Sequence, residues 1–64
     1  MGSLGENIAN IRKTHNLTQK EFGEKLNFAA RTVSDWERNR NEPKIETIKA
    51  ISRIFKVSYE ELLD

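Results

Sequence analysis

Leu17-Thr18-Gln19-Lys20-Glu21-Phe22-Gly23-Glu24-Lys25-Leu26-Asn27-Phe28-Ala29-Ala30-Arg31-Thr32-Val33-Ser34-Asp35-Trp36-Glu37-Arg38 is the stretch on which the fold turns. Thr18 followed by Glu21 is a capping box, in which each side chain satisfies the other residue's exposed backbone amide. Leu17 before the cap and Phe22 after it suit the hydrophobic staple that fixes the entry angle. A helix is predicted over 19–26, with Phe22 and Leu26 facing inward. Asn27 tolerates the left-handed backbone that ends a helix, and Phe28 is the next apolar group. A second helix is predicted from Ala29 or Ala30 to Arg38, with Val33 and Trp36 on its buried side. Its start carries the weakest signal, because Ala29 offers no capping oxygen. Gly23 sits inside the first of these helices, where glycine costs about 0.5–1 kcal/mol relative to alanine. Close approach of the second helix over the first gives that glycine a reason.

The flanks extend the same pattern. Upstream, Ser3 and Glu6 form another capping box, and Leu4, Ile8 and Ile11 fall on one face of a helix over 4–15. Asn16 breaks it. Downstream, Asn39-Arg40-Asn41-Glu42-Pro43 is a polar loop closed by proline just before a new helix. That helix, 45–55, carries Ile45, Ile48, Ile51, Ile54 and Phe55, a stripe too wide for one neighbour. It is expected to be central or to meet a partner chain as well. Ser58 with Glu61, and Val57 with Leu62, repeat the start signal for a short helix over 59–63. No stretch alternates convincingly as a strand, so an all-α, five-helix fold is expected.

Sixty-four residues allow one small domain, 1–64, and a chain this short buries only about 60 % of its unfolded surface. No deep enzyme cleft fits in it. Without cysteine there is no disulfide, thiolate nucleophile or Cys-based zinc site, and a single histidine builds no multi-histidine metal site. Ser34 and Asp35 are helix neighbours that do not face each other, so no triad with His15 forms. His15 itself sits at a helix end, where it caps carbonyls or faces solvent. The expectation is no enzyme, no cofactor, no metal and no small-molecule substrate. The longest apolar run is Phe28, Ala29 and Ala30, far too short to span a bilayer. The start has no basic and apolar secretion signal, and Glu6 stands where a myristoylation site needs Ser or Thr. A cytoplasmic protein is expected, so the glycosylation pattern at Asn16-Leu17-Thr18 is set aside. Net charge is +1, unevenly spread. Residues 1–56 hold 11 basic and 7 acidic side chains, while the last eight hold Glu60, Glu61, Asp64 and no base. A basic body with an acidic end permits nucleic acid as a partner without requiring it.

Two short helices joined by about three residues, with a small residue inside the first, describe a helix-turn-helix at about 18–38. At this point the residues resemble the Cro and phage-repressor (XRE-like) DNA-binding domains. The likeness is carried by Leu17 to Leu26, Thr32-Val33-Ser34 and Trp36-Glu37-Arg38-Asn39. It continues through Pro43, Glu46-Thr47-Ile48 and Val57-Ser58 to Glu61-Leu62-Leu63. The resemblance implies a lambda-repressor-like domain that binds double-stranded operator DNA as a homodimer, with the helix over 30–38 in the major groove.

Position by position, the resemblance implies that Ala30, Arg31, Ser34 and Asp35 reach base edges and that Thr32 lies nearer the backbone. It implies phosphate contacts for Gln19, Arg40 and Lys44, and an ion pair between Arg12 and Glu37. This sequence departs from the pattern in having asparagine at 27 and 39, where glycine is frequent. It also has Ala29 for a capping residue, Ala30 for a polar base reader and Asp35 for a basic or amide one. Arg31 is therefore the one strongly competent base reader. Arg38 suits DNA contact and a solvated charged face equally. Trp36, three residues from Val33, is expected in the core. Ile54, Tyr59 and Leu63 are the expected partner face. The alternative from another class is a protein-interaction module, such as an antitoxin or a regulatory subunit. The small net charge and Asp35 lean that way.

Overall fold

In the computed structural model, residues 2–64 are described, and Met1, the first residue of the expected domain, lies outside them. The chain forms α1 (Leu4–Thr14), α2 (Gln19–Leu26), α3 (Ala30–Glu37), α4 (Ile45–Phe55) and α5 (Tyr59–Leu63). No strand occurs among the described residues. The bounds of α2, α4 and α5 are those predicted. The expected helix over 4–15 stops one residue early, because His15 leaves helical geometry (φ −91°, ψ 7°) while its ring Nδ1 lies 2.9 Å from the carbonyl oxygen of Ile11. Arg38 (φ −92°, ψ 2°) likewise closes α3 from just outside it.

Helix starts and stops are built from two repeated devices. Reciprocal capping boxes open α1 (Ser3 with Glu6), α2 (Thr18 with Glu21) and α5 (Ser58 with Glu61). Each satisfies two amide donors that a helix start would otherwise leave unpaired. The stop is a left-handed residue followed by a bond reaching back five residues, the Schellman arrangement. Asn16, Asn27, Asn39 and Lys56 hold φ of 58°, 65°, 59° and 57°. The amides just past them donate to the carbonyls of Arg12, Gly23, Asp35 and Ser52. None of the four is glycine.

The core gathers Ile8 and Ile11 of α1, Phe22 of α2, Val33 and Trp36 of α3, Ile48, Ile51 and Phe55 of α4, and Leu62 of α5. Phe22 and Phe55 stack at 4.8 Å between ring centroids, a favoured aromatic arrangement. Leu4, Leu17, Leu26 and Val57 close its edges. The wide stripe on α4 divides: Ile48, Ile51 and Phe55 are buried, whereas Ile45 and Ile54 face solvent. At Gly23 a methyl group would overlap the carbonyl oxygen of Phe28 and press on Val33 Cγ2 at 3.2 Å. The close approach expected there thus comes first from the turn itself, with α3 behind it.

Candidate nucleic-acid interface

Helical geometry sorts α3 into faces. Val33 and Trp36 are buried against the other helices. At 3.6 residues per turn, Arg31, Ser34, Asp35 and Arg38 fall on the opposite side. Arg31 and Arg38 are exposed there, and Ser34 and Asp35 are half-buried. Ala30 and Thr32, also half-buried, lie on the two flanks of that outward row. The four side chains expected to reach base edges therefore share one continuous strip.

One flank is locked to α1 and α2 through Glu37. Arg12 Nε donates to Glu37 Oε2 at 2.6 Å, and Arg12 Nη2 donates to Oε1 at 3.1 Å. Gln19 Nε2 donates to the same Oε1 at 3.1 Å. The third nitrogen of Arg12 donates to the Leu17 carbonyl at 2.9 Å. The side chains of Arg12 and Glu37 are only 15% and 9% exposed, so the pair is largely withdrawn from solvent. The hydrogen bonds that Arg12 donates to Glu37 hold its guanidinium above its ordinary pKa. Partial burial opposes that shift, and the charge attraction of Glu37 adds to it. A fork-to-fork pair of this kind fixes orientation as well as distance. It ties the last turn of α3 to both helices that flank it.

The other flank is a shallow groove lined by Phe28, Thr32, Trp36, Glu42, Pro43, Lys44 and Thr47. Phe28 meets Trp36 edge-on at 5.0 Å. Lys44 is exposed at the N-cap of α4, where no side chain caps the first turn, and Ala29 leaves α3 uncapped in the same way. The first-turn amides of α3 and α4 are thus left without the side-chain acceptor that α1, α2 and α5 have. Uncapped helix starts beside a cation favour anions. Arg40 is exposed in the turn between α3 and α4.

Two residues escaped the sequence reading. Asn39 Oδ1 accepts from the Gly5 amide at 3.1 Å, and its Nδ2 donates to Ser3 Oγ at 3.0 Å. Gly5 is buried so tightly that a methyl group would meet the carbonyl oxygens of Trp36 and Glu37. The available signal was Gly5 itself, a glycine in a helical first turn as unexplained as Gly23. Among the described residues no group of three or more His, Cys, Asp or Glu is placed to hold a metal ion. None of the described helices is long and apolar enough to cross a membrane.

The sequence pattern of the helix-turn-helix family HTH_3 matches residues 8–62. The chain is 36% identical over 60 residues to the HTH-type transcriptional activator BcrR of Enterococcus faecalis, covering 94% of this chain and 29% of that protein. It is also 36% identical over 61 residues to the HTH-type transcriptional regulator ImmR of Bacillus subtilis, covering 95% of this chain and 48% of that protein. It therefore spans less than half the length of either relative. The fold superposes with a TM-score of 0.89 on the P22 c2 repressor protein, solved in complex with a synthetic operator. That match is 30% identical and covers 100% of this chain and 97% of the repressor chain.

Proposed function

Because the chain belongs to the helix-turn-helix family, we propose that residues 2–64 are one sequence-specific, double-stranded DNA-binding module of a transcriptional regulator. The observation that carries this reading is the outward strip of α3, with exposed Arg31 at its start and the helix held from behind by Glu37. A recognition helix needs that combination: side chains free to reach base edges on a backbone that does not yield. The likeness to a repressor solved on an operator supports double-stranded DNA as the partner.

Within this reading α3 lies in the major groove. The Arg31 fork donates to guanine O6 and N7, Asp35 accepts from cytosine N4, and the Ala30 methyl suits the thymine methyl. Ser34 completes the base-facing strip. Lys44, Arg40 and Thr32 take the phosphates on the α4 side. Gln19 does so on the α2 side, since one Nε2 hydrogen holds Glu37 and the other remains for an outside acceptor. Nothing in this assignment needs catalysis, a cofactor or a small molecule, and the site of action is the cytoplasm.

A single module buries roughly 600–1,000 Å² on DNA, too little for tight specific binding, so two copies on half-sites one helical turn apart are proposed. Tyr59 and Leu63, 50% and 57% exposed, with Ile54 at 38%, are the apolar surface for the second copy. Duplex selection followed by titration at several salt concentrations tests the reading. Binding should weaken steeply with salt, with a log–log slope of about −0.9 for each phosphate neutralised. Failure to select any duplex would reject it in favour of a protein-interaction module.

A further inference from the structure

We propose that Asn39 is a positioning residue that holds the turn carrying Arg40 in place by clamping the last turn of α3 to the first turn of α1; this rests on the DNA-binding reading above. Three observations on one residue support it. Its backbone, at φ 59°, is the left-handed stop of α3. Its own amide donates to the Trp36 carbonyl at 3.0 Å, and the next amide, that of Arg40, donates to the Asp35 carbonyl at 2.9 Å. Its side chain crosses to α1, accepting from the Gly5 amide and donating to Ser3 Oγ.

Glycine at this position would satisfy the backbone requirement alone. The asparagine side chain adds what glycine lacks. The Gly5 amide belongs to the first turn of α1 and has no acceptor within its own helix. Ser3 Oγ already accepts from the Glu6 amide, and the bond from Asn39 uses its second lone pair. Gly5, with no side chain, lets the α3 carbonyls and the Asn39 side chain come close enough to do this. The clamp thus anchors the residue immediately before Arg40 to a separate helix. Arg40 is left with only its side chain to order when it meets a phosphate, and ordering fewer groups on binding favours affinity.

The test compares Asn39→Gly, Arg40→Ala and the double variant. Asn39→Gly keeps the left-handed turn, so the fold should persist, while hydrogen exchange at the Gly5 amide should speed up. Operator affinity should fall several-fold with the log–log salt slope nearly unchanged, because Arg40 still meets its phosphate, whereas Arg40→Ala should lower the slope by about one unit. The double variant should bind no worse than Arg40→Ala alone, because without the Arg40 side chain the clamp has no contact left to favour. A purely structural role for Asn39 would instead weaken the Arg40→Ala background by the same factor as the natural one, and that result overturns the proposal. Unchanged affinity in Asn39→Gly overturns it too. If the unaltered chain binds no duplex, the DNA-binding reading fails first. The Gly5 exchange rate then still reports whether the clamp exists.

Discussion

Replacing Glu37 by leucine removes the acceptor for three hydrogen bonds, two from Arg12 and one from Gln19. The Arg12 guanidinium stays where it was, 15% exposed, with only the Leu17 carbonyl as a partner. Breaking one side of a buried pair typically costs about 3–5 kcal/mol, whereas an exposed pair is worth about 0–1. At roughly 0.05–0.15 kcal/mol per residue, a domain of this size has only about 3–10 kcal/mol to lose. Glu37→Leu should therefore leave the chain marginal or unfolded. A domain of 60–100 residues moves its Tm by roughly 4–8 °C for each kcal/mol, so a loss of about 3 kcal/mol lowers Tm by roughly 12–24 °C. Arg12→Met should cost a comparable amount, because it leaves the Glu37 carboxylate, 9% exposed, with only Gln19 as a donor. The double variant Arg12→Met/Glu37→Leu should recover much of the loss, since two apolar side chains of similar volume replace two charges. Thermal melts of the three variants measure this directly. Single variants that each lose less than about 1 kcal/mol, or a double variant whose loss is the sum of the two, would show that the pair is not a buried one.

Three further outcomes follow from the same geometry. Lys56→Gly relieves a left-handed lysine worth about 1–2 kcal/mol of strain and returns about 0.5–1 through unfolded-state entropy, so Tm should rise by a few degrees; an unchanged or lower Tm contradicts this. Gly23→Ala drives a methyl group into the Phe28 carbonyl and should cost about 1–3 kcal/mol in denaturant melts, where helix propensity alone predicts a gain. Tyr59→Ser with Leu63→Ser should leave the melt nearly unchanged but reduce the cooperativity of binding to two adjacent half-sites, with binding to a single half-site unaltered.

The fold was legible because each helix announces its own ends. Capping boxes at Ser3, Thr18 and Ser58, and asparagines at 16, 27 and 39, are local devices whose chemistry is complete within a few residues. The core followed from spacing, as with Val33 and Trp36. Lys56 was not legible as a stop, since lysine gains nothing from a left-handed backbone. It is held there by the Val57 amide bonding back to Ser52 and by Ser52 Oγ donating to the Val57 carbonyl at 2.6 Å. Nor was the Asn39 clamp, whose partners lie 34 and 36 residues away in sequence. On the candidate interface, it was the resemblance to the phage-repressor pattern that singled out Ala30, Arg31, Ser34 and Asp35. The groove joining Thr32 to Lys44 depends on how the intervening turn brings the start of α4 beside α3, which no local pattern encodes.

In the proposed complex α3 reads bases while the turn and helix that follow it hold phosphates. A base-substitution scan of the selected operator, made with Arg31→Ala and Lys44→Ala, separates the two roles. Arg31→Ala should weaken binding and erase about 1–3 kcal/mol of preference at one base pair in each half-site, leaving other positions as they were. Lys44→Ala should weaken every sequence by the same factor and lower the salt slope by about one unit. If Arg31→Ala instead scales all sequences equally, or if base preference collapses with Lys44→Ala, then α3 is not the reading element in the way described.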